Sequence, residues 1–285
     1  MGMTRAMIRR SLLAAALLAT PAAAQLDPPA WTRATAPFRI VGDIWYVGSE
    51  GLAAYLIKTP GGAILIDATM AENVPAIERN IVAAGVRLRD VKYLLVSHAH
   101  FDHAAGNAAM KSATGAKVVA GLADVAALES GIPPGETNYG VIKFPAVKVA
   151  RGIRDGETVK LGNTVLTAVA TPGHTPGCTT WTTTAVEAGR KLRVVFPCSV
   201  TVAGNKLIGN QRYPGIVGDF RKSFAKLATV SADVVLPGHP EGADVMQRHA
   251  KGGADAFTAP ALLGDIVAKS RDAFEIELAK QTAAK

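Results

Sequence analysis

A chain of 285 residues that is 49% apolar and 19% charged can bury a sizeable core, and its composition excludes the disordered, collagen-like and disulfide-dense classes. The net charge is +8, but Arg5, Arg9 and Arg10 all fall in the first 24 positions, which hold no acid, so the remainder carries +5. That is a mildly basic surface with no Lys/Arg run interleaved with aromatics, and it excludes nucleic acid as an expected partner.

Met1 to Arg10 is basic, Ser11 to Thr20 is an apolar run too short to span a bilayer, and Ala22-Ala23-Ala24 gives an A-x-A cleavage pattern before Gln25. Residues 1–24 therefore read as an export signal and residues 25–285 as a single domain. The expected location is the periplasm, where disulfides persist, with no membrane association after signal cleavage.

Gln25 to Pro37 is a Pro-rich arm. Phe38–Val41, Ile44–Val47, Ala53–Ile57 and Ala63–Asp67 read as strands in antiparallel hairpins, separated by Gly42-Asp43, Gly48 to Gly51 and Pro60-Gly61-Gly62. Asn73 to Ala84 is an amphipathic helix, with Val74, Ile77 and Ile81 at helical spacing and Gly85 as its stop. Val91 to Val96 is a buried strand. It runs into Ser97-His98-Ala99-His100-Phe101-Asp102-His103, and Ala104 to Thr114 then suits a short helix ended by Gly115. Val118–Ala120 is a strand and Leu122–Glu129 a helix, followed by the breaker-rich loop Gly131 to Gly140. Val147–Val149, Thr158–Leu161 and Asn163–Val169 resume the strands.

After them comes the Gly/Pro-rich turn Thr171 to Cys178, with His174 at its apex. Thr179–Thr183 and Leu192–Phe196 form a hairpin, and Tyr213 to Val230 contains a helix. Asp233 to Leu236 is a last strand that delivers His239, and Leu262 to Ala279 closes the chain as a helix. The order β-rich, helical, β-rich, helical predicts an α/β fold: a four-layer αβ/βα sandwich of two mixed sheets packed face to face, with helices on the outer faces.

The His98 to His103 stretch carries the chemistry. Zinc accepts imidazole nitrogen and carboxylate oxygen at about 2.0–2.2 Å. His98 and His100, one residue apart on an extended segment, point to the same side and can clamp one ion. Asp102 and His103 point elsewhere and can serve a second, and two ions about 3.5–4 Å apart share a bridging water. Five of the six histidines follow strands or occupy turns, including His174 and His239; His249 lies in a polar stretch and reads as a surface residue.

The runs Ser97 to Gly106, Thr171-Pro172-Gly173-His174-Thr175-Pro176-Gly177-Cys178-Thr179-Thr180-Trp181, Phe196-Pro197-Cys198-Ser199 and Gly238-His239-Pro240 together resemble the class B, subclass 3 metallo-β-lactamases. The resemblance runs from about Trp45 to the C-terminal helix. The H-x-H-x-D-H pattern belongs to a wide hydrolase superfamily; the Gly-Cys-Thr-Thr-Trp and Pro-Cys-Ser runs are the specific parts. It implies an αβ/βα sandwich holding two zinc ions per chain, with His98, His100 and His174 on the first and Asp102, His103 and His239 on the second. It implies hydrolysis of the β-lactam amide by a zinc-bound hydroxide, oriented by Asp102, and so antibiotic resistance. Ser199 falls where another subclass has a cysteine ligand and is expected to hold the substrate carboxylate. Thr201 is expected to help, although the family more usually has serine there. The expected partner is a small β-lactam, and the expected state a monomer.

The alternative is a lactonase or glyoxalase-type thioesterase of the same superfamily. Those enzymes carry a bridging Asp between the third and last His ligands, whereas Lys191 to Tyr213 contains no Asp or Glu. A non-catalytic zinc protein would close each site with four protein ligands, and three per ion leave each open.

Cys178 and Cys198 are the only cysteines. They flank a hairpin that turns near Glu187-Ala188-Gly189, which places them near opposite one another on paired strands, within disulfide range. A Cys178–Cys198 bridge is expected, against a Cys198 zinc thiolate or two free buried thiols.

Overall fold

The structure is a computed structural model and describes residues 27–253 and 255–284. The export-signal expectation for residues 1–24 falls outside them. Strands β1 (Phe38–Val41), β2 (Ile44–Tyr46), β3 (Tyr55–Thr59), β4 (Gly62–Ile66), β5 (Val91–Leu95), β6 (Lys117–Gly121) and β7 (Arg151–Ile153) form one sheet in chain order. Pairing is antiparallel from β1 to β4 and parallel from β4 to β7. The second sheet has the order β12-β11-β10-β9-β8, built from β8 (Thr158–Leu161), β9 (Thr164–Ala170), β10 (Thr179–Glu187), β11 (Arg190–Phe196) and β12 (Val234–Val235). Only β11 and β12 pair in parallel there.

Side chains alternate across each strand, and this sorts them into three cores. Ile64 and Ile66 of β4 meet Leu192, Val194 and Phe196 of β11 between the sheets, with Tyr46, Tyr55 and Trp181. Ala63 and Leu65 point outward, against Ile77 and Ile81 of α1 (Val74–Ala83) and Met110 of α3 (Asn107–Thr114). Leu128 of α4 (Val125–Ser130) joins that outer core. On the far face Val195 packs with Phe220 and Phe224 of α5 (Ile216–Leu227) and Phe274 of α7 (Leu262–Ala283). Each such side chain, taken fully from water, contributes roughly 1.5–3 kcal/mol. This is the four-layer sandwich read from the sequence.

Three local expectations are corrected. Val147 to Val149 is buried but not a strand. The Val147 N–H donates to Leu128 O and the Val149 N–H to Glu129 Oε1, so this segment caps α4 and the sheet resumes at Arg151. The helix expected over Ala104–Thr114 is two: α2 (Phe101–Ala104) and α3, broken at Gly106. The Gly106 N–H donates to Thr69 O instead of continuing a helix, and a Cβ there would lie 2.2 Å from Ala68 O, so the loop after β4 leaves no room for a side chain at this break. The last strand is only the pair Val234–Val235, and α6 (Val245–Lys251) follows His239.

Candidate metal centre

The edge where β4, β5, β9, β11 and β12 end and β10 begins gathers His98, His100, Asp102, His103, His174 and His239. All but His239 are buried. Loops hold His98, His100, His174 and His239, α2 holds Asp102 and His103, and a hydrogen-bond frame lies beneath them. Asp67 closes β4 at a positive φ of 59°, a strained conformation that the surrounding bonds impose. Its Oδ1 accepts the Ser97 N–H at 2.7 Å and its Oδ2 the Ser97 hydroxyl at 2.6 Å. With that proton committed, Ser97 Oγ accepts from His98 Nδ1 at 3.0 Å, which leaves His98 Nε2 as a bare lone pair. That nitrogen is buried without a hydrogen-bond partner.

The same logic repeats around the site. His174 Nδ1 donates to Thr201 O at 2.8 Å, which leaves Nε2 as the acceptor, 2.9 Å from His100 Nδ1. His103 Nδ1 donates to Asp67 Oδ2 at 3.1 Å and turns its Nε2 inward. Burial holds His98 and His174 well below the usual imidazole range and brings His100 down to about 4, so all three are neutral. A divalent ion requires neutral imidazoles, and in His98 and His174 the second nitrogen is also pinned, whereas His100 Nε2 is buried without a hydrogen-bond partner.

Ligand atoms of His98, His100 and His174 lie within 4.8 Å of one another. The second set is tighter: Asp102 Oδ2 is 3.3 Å from His103 Nε2 and 3.2 Å from His239 Nε2, and the two nitrogens are 3.3 Å apart. Two ligands each about 2.0 Å from a tetrahedral ion stand about 3.3 Å apart, so this triangle fits zinc. In the metal-free protein burial disfavours the His103 cation, but the carboxylates of Asp102 and Asp67 outweigh it and raise His103 to about 10. Burial alone would raise Asp102; the His103 charge beside it holds it well below the usual carboxylate range.

Asp124 ties the loops together. Its Oδ2 accepts the Ala99 N–H at 2.9 Å and the Thr175 hydroxyl at 2.7 Å, and its Oδ1 accepts the Gly177 N–H at 2.7 Å. The His98–His100 segment and the His174 turn are therefore held to one carboxylate. Sequence reasoning missed both Asp67 and Asp124; the only signal was an acid ending an apolar strand and another opening a helix. His249 is exposed and stacks on Phe38 at 3.7 Å between centroids, outside the site.

Ser199 and Thr201 lie at the rim with hydroxyls 3.0 Å apart, and Ser199 Oγ touches no imidazole. Trp31, on the N-terminal arm, is 5.4 Å from the His239 ring and 6.2 Å from Phe101. Its carbonyl accepts from Ser49 Oγ and Asn73 Nδ2, which fasten the arm over the site. His100 and Phe101 share a small cavity with Pro133, Pro134, Tyr139 and Ile142 of the breaker-rich loop. That loop is anchored to the Thr201 segment by Asn138 N–H to Gly204 O and Lys206 N–H to Glu136 O.

Cys178 and Cys198 are joined in a disulfide, with Cα atoms 5.8 Å apart. The β10–β11 ladder ends at Trp181 opposite Phe196, and its register would set Thr179, not Cys178, across from Cys198. The bridge therefore lies just beyond the ladder rather than on a paired rung. The Cys198 N–H turns away to Thr180 Oγ1, which frees the chain to make the offset link.

The model of the metallo-β-lactamase superfamily matches residues 50–239. The chain belongs to that superfamily. Its fold and sequence are similar to BJP-1, a subclass B3 metallo-β-lactamase of Bradyrhizobium japonicum: 41% identity, 90% of this chain and 98% of that chain covered, TM-score 0.85. They are also similar to the FEZ-1 metallo-β-lactamase of Legionella gormanii, at 37% identity over 88% of this chain and 98% of that one, TM-score 0.82. Among curated proteins the chain is similar to a hydroxyacylglutathione hydrolase of Acidiphilium cryptum, 27% identical over 65% of this chain and 63% of that protein. A metal-dependent hydrolase of Anaeromyxobacter is 40% identical over 26% of this chain and 25% of its own length. The chain thus spans less than two thirds of these curated relatives, but nearly the whole of the subclass B3 structures.

Proposed function

We propose that the protein is a periplasmic metallo-β-lactamase that hydrolyses the amide bond of β-lactam antibiotics, with residues 25–285 as one catalytic domain acting as a monomer. Among the described residues no helix is long and apolar enough to cross a membrane. His98, His100 and His174 would hold one zinc ion and Asp102, His103 and His239 a second. When bound, zinc supplies Lewis acidity and brings the pKa of coordinated water from about 16 to about 7.

The chain's own residues do the rest. The ionised Asp102 carboxylate accepts the hydrogen bond of the attacking water and orients it. Ser199 and Thr201 offer adjacent hydroxyls to the substrate carboxylate. Ser199 has no imidazole within reach to act as a base, so it binds rather than attacks. Trp31, Phe101, Tyr139 and Ile142 wall the cleft with apolar surface that excludes water and meets substrate side chains.

One observation favours this reading over the thioesterase suggested by the hydroxyacylglutathione hydrolases. Where such an enzyme places a bridging carboxylate, this chain has Cys198 in a disulfide and the Ser199 hydroxyl, with no acid from Lys191 to Tyr213. The test is a rate panel of a penicillin, a cephalosporin, a carbapenem, a glutathione thioester and a lactone, with and without chelator. The expected result is β-lactam turnover that is lost on chelation and restored by zinc. A kcat/KM for the thioester or lactone above that for every β-lactam would overturn the reading.

A further inference from the structure

The disulfide sits against the metal centre itself. A ring nitrogen of His98 and the two sulfurs of Cys178 and Cys198 lie within 4.8 Å of one another, and all three residues are buried. Cys198 Sγ is 3.3 Å from Ser97 O, in the segment that carries His98, and Cys178 Sγ is 3.5 Å from Ser199 O. His98 thus belongs to three candidate ligand sets: one with His100 and His174, one with Asp102 and His103, and one with the two sulfurs.

We propose that in the reduced chain His98, Cys178 and Cys198 form a Cys₂His site for zinc or cobalt, and that the disulfide closes this site. The inference rests on His98 being a ligand of the first ion, as proposed above. Thiolates are softer donors than imidazole, and two with one histidine make a recognised three-ligand zinc set with an open fourth position. An ion held there takes His98 away from His100 and His174. Oxidation removes both thiolates as ligands, so forming the bond also directs the metal to the imidazole set.

The redox step balances. A small dithiol attacks the Cys178–Cys198 bond and gives up two electrons and two protons as it closes to its own cyclic disulfide, leaving two protein thiols. Metal binding then displaces one proton from each thiol.

The experiment uses the full chain, reduced with dithiothreitol, freed of reductant without oxygen and checked for two titratable thiols. Cobalt(II) is then added to this form and to the oxidised protein, and absorption is recorded. Reduced wild type should show a thiolate-to-cobalt charge-transfer band, and oxidised wild type only the weaker visible bands of nitrogen and oxygen ligation. In reduced His98→Ala the affinity for the charge-transfer site should fall about tenfold or more, the loss of one ligand of three.

Absence of the band in the reduced protein at saturating cobalt would overturn the proposal. So would a band of unchanged affinity in His98→Ala, which would mark a dithiolate complex independent of this histidine. A second readout covers poor folding of the variant: zinc should raise the unfolding midpoint of reduced wild type more than that of Cys178→Ser/Cys198→Ser, and equal shifts count against the proposal. Lack of visible cobalt bands in the oxidised protein would instead refute the imidazole site of the function proposed above.

Discussion

Gly238 lies against the His103 imidazole: a Cβ at that position would stand 2.5 Å from His103 Cε1 and 3.0 Å from Nδ1. The residue before one ligand therefore makes room for the ring of another. Gly238→Ala should push His103 off its bond to Asp67 and out of the triangle with Asp102 and His239. The expected loss is about 10–100-fold in affinity for the second zinc, the range seen when ligand-orienting contacts are broken. Competition with a fluorescent zinc chelator measures it. Unchanged binding of both ions would show that the ring has room to give way.

Loading the second ion should release a proton. Without metal, His103 is raised to about 10, so it is protonated at pH 8, while His98, His100 and His174 are neutral and Asp102 is ionised. A ligand nitrogen must be deprotonated. The sign follows: affinity of this site rises with pH, about tenfold per unit, until pH passes about 10, above which no proton remains to be lost. Calorimetric titration of metal-free protein with zinc, in buffers of different ionisation enthalpy at pH 8, should count about one proton from this set. A count of zero would mean that His103 is neutral before the metal arrives.

Asp124→Ala should cost stability and disturb both ligand loops at once. It strands the buried N–H groups of Ala99 and Gly177 and the Thr175 hydroxyl. Each such group costs about 1–3 kcal/mol, so a total loss of about 3 kcal/mol or more is expected. For a chain of this size that lowers Tm by roughly 6–12 °C. Differential scanning calorimetry on the metal-free protein separates this from any loss of metal. A change under about 0.5 kcal/mol, the size of an ordinary surface substitution, would remove Asp124 from the frame.

Ser199→Ala should raise KM by about 3–10-fold with kcat within about twofold, the loss of one hydrogen bond made equally in ground and transition states. The zinc content should not change. Elemental analysis showing one ion fewer would make Ser199 a ligand.

Two zinc ions per chain are expected at saturation, and chelation should abolish activity. His100→Ala should lower kcat/KM by about 10³-fold or more, as for a group that acts on the transition state. At most one zinc in the replete wild type, measured by elemental analysis, would refute the two-ion assignment.

The sequence by itself determined whatever depends on neighbours along the chain. Short runs of strand-forming residues bounded by turns marked β3, β4, β10 and β11. Helical spacing marked α1 and α5. The Ala188-Gly189 turn, with φ of 50° and 77°, is the tight hairpin that its residues suggest. The His98 to His103 cluster was legible because its ligands lie within one strand-to-helix turn, and His174 and His239 because each is flanked by glycine at the end of a strand.

Tertiary structure decided what depends on partners far along the chain. Asp67 reaches Ser97 and His103, and Asp124 reaches Ala99 and Gly177, across separations that carry no periodic signal. Trp31 meets His239 only because the arm is fastened to Ser49 and Asn73. Val147 to Val149 has the composition of a strand, but the N–H groups of Val147 and Val149 go to α4, and bonding to β6 starts only at Ala150. The offset Cys178–Cys198 bridge forms where the ladder has already ended. Local pattern sets which face of an element is apolar; which faces and loops then meet is set by packing the two sheets together, and that packing brings the ligand loops and their supporting carboxylates to one edge.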